Sequence, residues 1–409
     1  MKIQQLDQNF ENRFAGLLKR NFGQDTTSAM YKYFFGMPEY WSNIYGWVDG
    51  ADLVSIWNQV PIDLMIRKKK VKAYFIEDAI TVPNYRNRGL IKQLFLANCH
   101  KAKEEKIDFI ALTPFKHKYY HNFGFSSAFN RFRLKISLDL LSKTSSSDKY
   151  YVKIGNLGED EQIRTDFYGM LAEFWSNSNY NERMYTNWGS EKYLEFVKDL
   201  RVALAYNSTT NHPKGFLIYK LKNRVLNIAS FRYTSLGAFD ALKNLISSYY
   251  DQAASIHCTS LPEDFPIDRF IHSYWNGGDE AIFSYQPSKM LRVVSPKSVF
   301  EKFLDIAPQK PLKILLNDSL LPENSGVYTL TEKKTVQFEI EAIHDLEITI
   351  HGLAQMITGR FSASDLYLSG EIIFPGNTEV STLFSEIPEI ILELDRLYPK
   401  IVTFYPEYD

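Results

Sequence analysis

The segment that most constrains this chain is residues 73–112. Residues 73–82 are rich in β-branched and aromatic side chains and predict a strand. Pro83 cannot donate a hydrogen bond to a sheet and starts a turn. Arg86-Asn-Arg-Gly89 then leads directly into residues 89–105, where Leu90, Leu94, Ala97 and Ala102 fall near one helical face and lysines lie elsewhere. Residues 108–112 are a short apolar run with the length of a buried strand. Strand, turn, helix and strand make a β–α–β unit, so an α/β domain is expected here.

The turn also carries chemistry. The first backbone N–H groups of a helix have no internal partner, and the positive end of the helix dipole lies behind them. A diphosphate fits such a place, and a glycine at position 89 lets it approach the backbone. Arg86 and Arg88 add local positive charge. No Gly-Lys-Ser/Thr follows, so this is not a Walker loop. One glycine does not make the three of a dinucleotide fingerprint. Taken alone, Arg-x-x-Gly is more often a solvated loop before an ordinary helix.

The rest of the chain sets the frame. Its 409 residues suggest two to four domains. A linker-like stretch at 142–151 and a second at 284–298, whose two prolines flank a short apolar strand at 290–294, divide it into 1–150, 151–288 and 289–409. The middle piece predicts helices at 161–177, 191–199 and 236–248, with strands at 203–206, 214–219 and 225–231. That order resembles the first piece and hints at a duplicated fold. The last piece, with strands at 334–340 and 345–350 and helices at 353–358 and 388–397, is expected to be α+β.

With 47 Lys+Arg against 48 Asp+Glu, bulk charge argues against a nucleic-acid partner. The first ten residues lack the apolar region of a secretory signal, and no stretch reaches 18 apolar residues, so no membrane span is expected. Two cysteines, Cys99 and Cys258, make no disulfide framework and suit buried thiols in a reducing cytosol, so a cytoplasmic location is expected. His117 and His121 have helical metal-pair spacing. Lys118 stands where a catalytic Glu would, however, and no third ligand is near, so no metal is expected.

Downstream of the β–α–β unit, residues 112–125 end in Tyr120-His-Asn-Phe-Gly-Phe125. A strand, Val-Pro-x-x-Arg-x-Arg-Gly-Leu, a helix, a strand and then Tyr-x-x-Phe-Gly-Phe resembles the GNAT superfamily of acetyl-CoA-dependent N-acetyltransferases. Within it the chain is similar to the Eis (enhanced intracellular survival) branch. Residues 289–294 (Lys-Met-Leu-Arg-Val-Val), 353–370 and 394–399 (Leu-Asp-Arg-Leu-Tyr-Pro) match that branch's third domain. The resemblance implies an N-terminal GNAT domain, a second, degenerate GNAT-like domain and a sterol-carrier-like C-terminal domain.

It also implies roles. Ala79, Ile80, Thr81 and Val82 would flank the acetyl and pantetheine arm of acetyl-CoA. Asn87, Arg88, Gly89, Leu90, Ile91 and Lys92 would hold its diphosphate. The general GNAT pattern has Gly or Ala where Ile91 stands, a departure the Eis branch tolerates. Tyr120 would be the general acid, with Tyr119 its rival, and the C-terminal carboxylate of Asp409 the base, although the family tail usually ends in an aromatic residue. Tyr40, Trp41, Trp47 and Glu39 are candidates for lining an acceptor cleft, against ordinary packing. The implied reaction is acetyl transfer to a primary amine, aminoglycoside-like or polyamine-like. A protein lysine or a non-catalytic acyl-CoA or lipid-binding role is the alternative. A homo-oligomer, up to a hexamer, is implied as well.

Overall fold

The computed structural model describes residues 1–409 except 28–30, 32–34, 37, 143, 145–147, 178–181, 185–200, 277–278, 376–385 and 405–409. The expected helix at 191–199 and the base candidate Asp409 lie outside the described residues. Two compact units result, one of residues 1–129 and 288–403, the other of residues 130–287 and 404–409.

The first unit opens with β1 (Lys2–Gln5) and α1 (Glu11–Phe22), followed by β2 (Ile44–Asp49), β3 (Asp52–Ile66) and β4 (Lys69–Thr81). These strands form an antiparallel meander in sequence order. Arg67 and Lys68 both take positive φ (49° and 61°), which gives the long β3–β4 hairpin a two-residue turn whose twist suits the strands. Next come α2 (Leu90–Glu104), β5 (Phe109–Leu112) and α3 (His117–His121). β5 runs parallel to β4, as a crossover through α2 requires. Trp57, Leu94, Phe95, Cys99, Ile110 and Phe125 form one buried cluster between α2 and the sheet.

The strand expected at 290–294 within the linker-like stretch 284–298 is present, and regular structure extends to either side of it. The strand Ile282–Val293 pairs through Met290–Val293 with β5, and the helix Pro296–Phe303 follows. The two prolines flank the paired residues: Pro287 precedes them, and Pro296 sits in a helix's first turn, where its missing N–H costs nothing.

In the same unit, a five-stranded sheet runs in the order Val336–Glu339, Gly326–Leu330, Leu312–Asn317, Leu346–Thr349, Ile372–Ile373. The helices Ile350–Thr358, Ala363–Leu368 and Glu389–Leu397 accompany it. Arg67, at the β3–β4 turn, donates to the Ile357, Met356 and Pro399 carbonyls at 2.7, 2.9 and 2.9 Å. It thereby caps the C-terminal end of one of those helices with a cation, as the helix dipole favours.

The second unit repeats the β–α–β theme. Val225–Tyr233, the helix Leu236–Ser247 and Ser255–Leu261 follow one another, and the two strands are parallel. Pro213–Lys222 and Arg201–Asn207 extend the sheet antiparallel to Val225–Tyr233, and Tyr150–Asn156 pairs with Arg201–Asn207. Helix Glu161–Asn177 has the bounds the pattern predicts.

Candidate active site

From Ala73 to Ile76, β4 pairs with β5; beyond Ile76 its neighbour on that side ends among the described residues. Residues 77–81 therefore present an open backbone edge. Just there the β3–β4 register slips: Asn58 faces Asp78, but Gln59 faces Ile76, so Glu77 is an extra residue in β4. Such a bulge bends a strand and re-aims its neighbours.

The turn after β4 is tightly specified. Pro83–Tyr85 form one 3-10 turn, Arg86 is extended, and Asn87 (φ 61°) and Gly89 (φ 73°) take left-handed conformations. Asn tolerates that conformation better than most residues, and Gly adopts it freely. No atom lies within 4 Å of where a Cβ on Gly89 would stand, so the space over it is open. No side chain caps the start of α2. The arginines are tied back to the loop: Arg86 Nε donates to the Thr81 carbonyl at 3.1 Å, and Arg88 to the Asn84 carbonyl at 2.9 Å. Arg88 also lies over the Tyr85 ring, whose hydroxyl donates to Asp49.

These features converge on a cavity of about 610 Å³. That is the size of a small-molecule site. Nine of the ten residues expected to hold acetyl-CoA line it; Val82 does not, its N–H continuing the β3–β4 ladder to the Val54 carbonyl. Asn21 and Phe22 from the end of α1, and Phe115, Tyr119 and Phe123 from around α3, complete the wall. Apart from Tyr119, named as the rival to Tyr120, the sequence reading did not anticipate those contributions, because nothing local in them announces a long-range contact.

The two tyrosines divide. Tyr119 lines the cavity, whereas Tyr120 is 5% exposed and packs edge-on to Phe115, Tyr119 and Phe125. Burial pushes both phenols up, so both stay protonated at neutral pH. The turn carrying them closes with Gly124 N–H donating to the His121 carbonyl at 2.9 Å. Gly124 has φ +76°, and a Cβ there would stand 1.8 Å from Arg292 Nη1. Arg292 is fully buried and ion-paired with buried Asp318, which also accepts from Asn324 at 2.9 Å. The glycine of Phe-Gly-Phe thus makes room for a guanidinium.

The acceptor-cleft candidates are mostly packing. Trp41 is buried among Phe14, Phe35 and Tyr40 and donates to the Phe35 carbonyl at 3.1 Å. Trp47 donates to the Leu90 carbonyl at 3.3 Å and so braces the start of α2. The Glu39 side chain lies outside the described residues. Tyr40 does reach a polar cluster, where its hydroxyl accepts from Asn58 Nδ2 at 2.7 Å. His121 stacks on His351, with centroids 3.7 Å apart and planes 7° apart. Among the described residues no group of three or more His, Cys, Asp or Glu is placed to hold a metal. Cys99 and Cys258 are both buried, and burial pushes the Cys99 thiol up to about 12.

In the second unit the corresponding turn, residues 231–237, is filled. Ser235 caps its helix by accepting from Ala238 N–H at 3.3 Å. The Tyr150 ring occupies the space over Gly237, where a Cβ would stand 2.2 Å from it.

An open strand edge thus leads to an uncapped, glycine-fronted helix N-terminus, whose first amides are free to bind an anion. Comparison with known proteins agrees: residues 2–128 match the acetyltransferase (GNAT) domain family, and residues 300–391 match the sterol carrier protein domain. Residues 2–128 thus carry an acetyltransferase (GNAT) domain. Over its full length the fold is similar to three solved structures. They are a conserved protein of unknown function from Enterococcus faecalis V583 (17% identity, TM-score 0.82, 100% of this chain and 99% of that one), a GCN5-related N-acetyltransferase from Anabaena variabilis (14%, 0.77, all of both chains) and Eis1 from Mycobacterium abscessus (13%, 0.75, all of both chains). No curated protein sequence matches the chain. No helix among the described residues is long and apolar enough to cross a membrane.

Proposed function

We propose that this chain transfers the acetyl group of acetyl-CoA to a primary amine of a small, multiply charged acceptor, aminoglycoside-like or polyamine-like. The observation that supports it most directly is the cavity joining the open edge of β4 to the bare N-terminus of α2. In this reading the first amides of α2 bind the diphosphate, and Ala79–Thr81 hold the arm along an edge that β5 leaves unpaired. A backbone N–H of that edge polarises the thioester carbonyl.

Tyr120 is proposed as the general acid. Its burial keeps the proton in place until a thiolate forms beside it. Tyr119, which lines the cavity, orients the arm. The C-terminal carboxylate of Asp409 is retained as a base that draws the amine toward the thioester. The filled turn at residues 231–237 supports a second GNAT-like domain that serves as scaffold, in a chain segmented at 1–150, 151–288 and 289–409. A cytoplasmic homo-oligomer completes the reading.

The test is thiol release from acetyl-CoA across a panel of spermine, kanamycin and a lysine peptide, beside acetyl-CoA binding by calorimetry. Release with the small amines supports the proposal. Release with the peptide alone moves the acceptor to protein lysines. Binding without release from any amine overturns it.

A further inference from the structure

We propose that a second cavity, between the end of α3 and the first turn of the helix Ile350–Thr358, is a site for a small oxyanion, a carboxylate or a phosphate-sized group, held by Arg292 with His121 and His351. This goes beyond the acetyl-transfer reading and does not depend on it.

The cavity shares no lining residue with the one at the turn after β4. Its volume is about 290 Å³, at the lower edge of small-molecule sites. All of its lining residues belong to the first unit. His121, Asn122 and Ser319 among them are exposed, so the cavity opens to solvent there.

Arg292 gives the cavity its charge preference. Its side chain is fully buried and lines the cavity. Nη2 donates to Asp318, but Nε and Nη1 have no hydrogen-bond partner among the described residues. Asp318, which also lines the cavity, is already saturated. Its Oδ1 accepts the Leu320 and Leu321 amides at 3.2 Å each, and its Oδ2 accepts Asn324 Nδ2 at 2.9 Å beside Arg292 Nη2. A buried guanidinium with unmade bonds is costly, and an oxyanion supplies both the acceptors and the opposite charge. Gly124, another lining residue, leaves Nη1 uncovered, since a Cβ there would stand 1.8 Å from it.

The helix adds to the same preference. Ile350 and His351, its first two residues, line the cavity. First-turn amides have no partner inside a helix, and the positive end of the dipole lies behind them. The Thr349 cap takes the Gly352 amide at 2.9 Å. His351 stacks on His121, and its Nδ1 lies 3.2 Å from the Phe125 carbonyl. The charged and titratable groups facing His351 are His121, Arg292 and Asp318. Burial, then His121 and Arg292, hold it down at about 4, against the Phe125 carbonyl and Asp318. An anion among these groups offsets that penalty, so binding favours proton uptake by His351. The occupant joins the turn that bears Tyr119 and Tyr120 to the sterol carrier-type domain matched at residues 300–391.

The experiment titrates sulfate and acetate separately into the full chain by calorimetry, with coenzyme A in excess to fill the turn at 86–92. One anion per chain is expected. Ser319→Glu adds a negative charge at an exposed position and leaves the buried pair alone. It should weaken binding at least about tenfold, and Ser319→Gln by no more than about threefold. Asn122→Asp, exposed on another segment of the lining, should act like Ser319→Glu. Unchanged coenzyme A affinity shows that the variants fold. Sulfate keeps its charge across neutral pH, and its affinity should rise as pH falls from about 7.5 to about 5.5, by at most about tenfold per unit for one proton taken up. Tighter sulfate binding supports the site with a phosphate-like ligand, and tighter acetate binding supports it with a carboxylate. No binding of either anion, equal binding by Ser319→Glu and Ser319→Gln, or an affinity independent of pH overturns the site as described and leaves acetyl transfer standing.

Discussion

Gly89 and Gly124 share nearly one backbone conformation, at φ 73° and 76°, and are in opposite surroundings. Replacing each by alanine separates a site that needs open space from one that needs close packing. At either position an L-residue in the left-handed region costs about 1–2 kcal/mol. At Gly89 nothing further is due, since no atom stands within 4 Å of the new Cβ. At Gly124 the methyl would stand 1.8 Å from Arg292 Nη1 and 2.7 Å from its Cζ, so the guanidinium must leave. Its partner Asp318 is also buried, and breaking such a pair costs about 3–5 kcal/mol. The totals are about 1–2 kcal/mol for Gly89→Ala and about 4–7 kcal/mol for Gly124→Ala. With a urea slope of about 1–3 kcal/mol per molar, the first transition of Gly124→Ala should come more than about 1 M below that of Gly89→Ala. Function should rank the other way among folded proteins. The Gly89→Ala methyl intrudes on the diphosphate's approach, and losing one charge-assisted bond of about 1.5–3 kcal/mol weakens acetyl-CoA binding about 10- to 100-fold. Equal urea midpoints for the two variants would show that Arg292 does not lean on Gly124 as described.

Tyr120→Phe should lower kcat by at least tenfold while acetyl-CoA affinity holds, and Tyr119→Phe should change affinity more than kcat. The reverse pattern in steady-state assays would hand the acid's role to Tyr119. Removing residues 405–409 should cut turnover and spare acetyl-CoA binding; unchanged turnover would take the tail out of the chemistry. His351 is pushed down to about 4, chiefly by burial and then by the neighbouring His121, so the folded protein binds it neutral. The unfolded chain takes up that proton below about 6.5, so the associated stability is complete above that pH and is lost as pH falls toward 4. The loss, about 1–3 kcal/mol, should appear in urea titrations of the wild type and be absent in His351→Gln.

Much of the site could be read from the chain because it is local. The strand, the turn at 83–89 and helix α2 lie within about thirty residues, and their dihedral demands show as Pro83, Asn87 and Gly89. Asn87 and Gly89 line one cavity together with Ala79, Ile80 and Thr81. The helix Glu161–Asn177 was legible for a similar reason, since its periodicity is its own. Where the reading failed, the deciding contact was distant. Residues 284–298 look like a linker around a short strand at 290–294, but the strand begins at Ile282 and β5 pairs with Met290–Val293. The acceptor-cleft alternative for Trp41 and Trp47 gives way to the packing reading, since Phe14, Phe35 and the Leu90 carbonyl claim them.

Sequence by itself determined the strand, turn and helix around residues 83–89, because a proline, a glycine and helical periodicity are properties of consecutive residues. Tertiary structure alone decided what a lone carboxylate in a strand becomes. Only the register of β3 against β4 sets Asp78 opposite Asn58, and only the early end of β5 leaves the edge beside it open. Burial and pairing depend on which distant chain segments arrive, and a side chain's proton affinity follows from them.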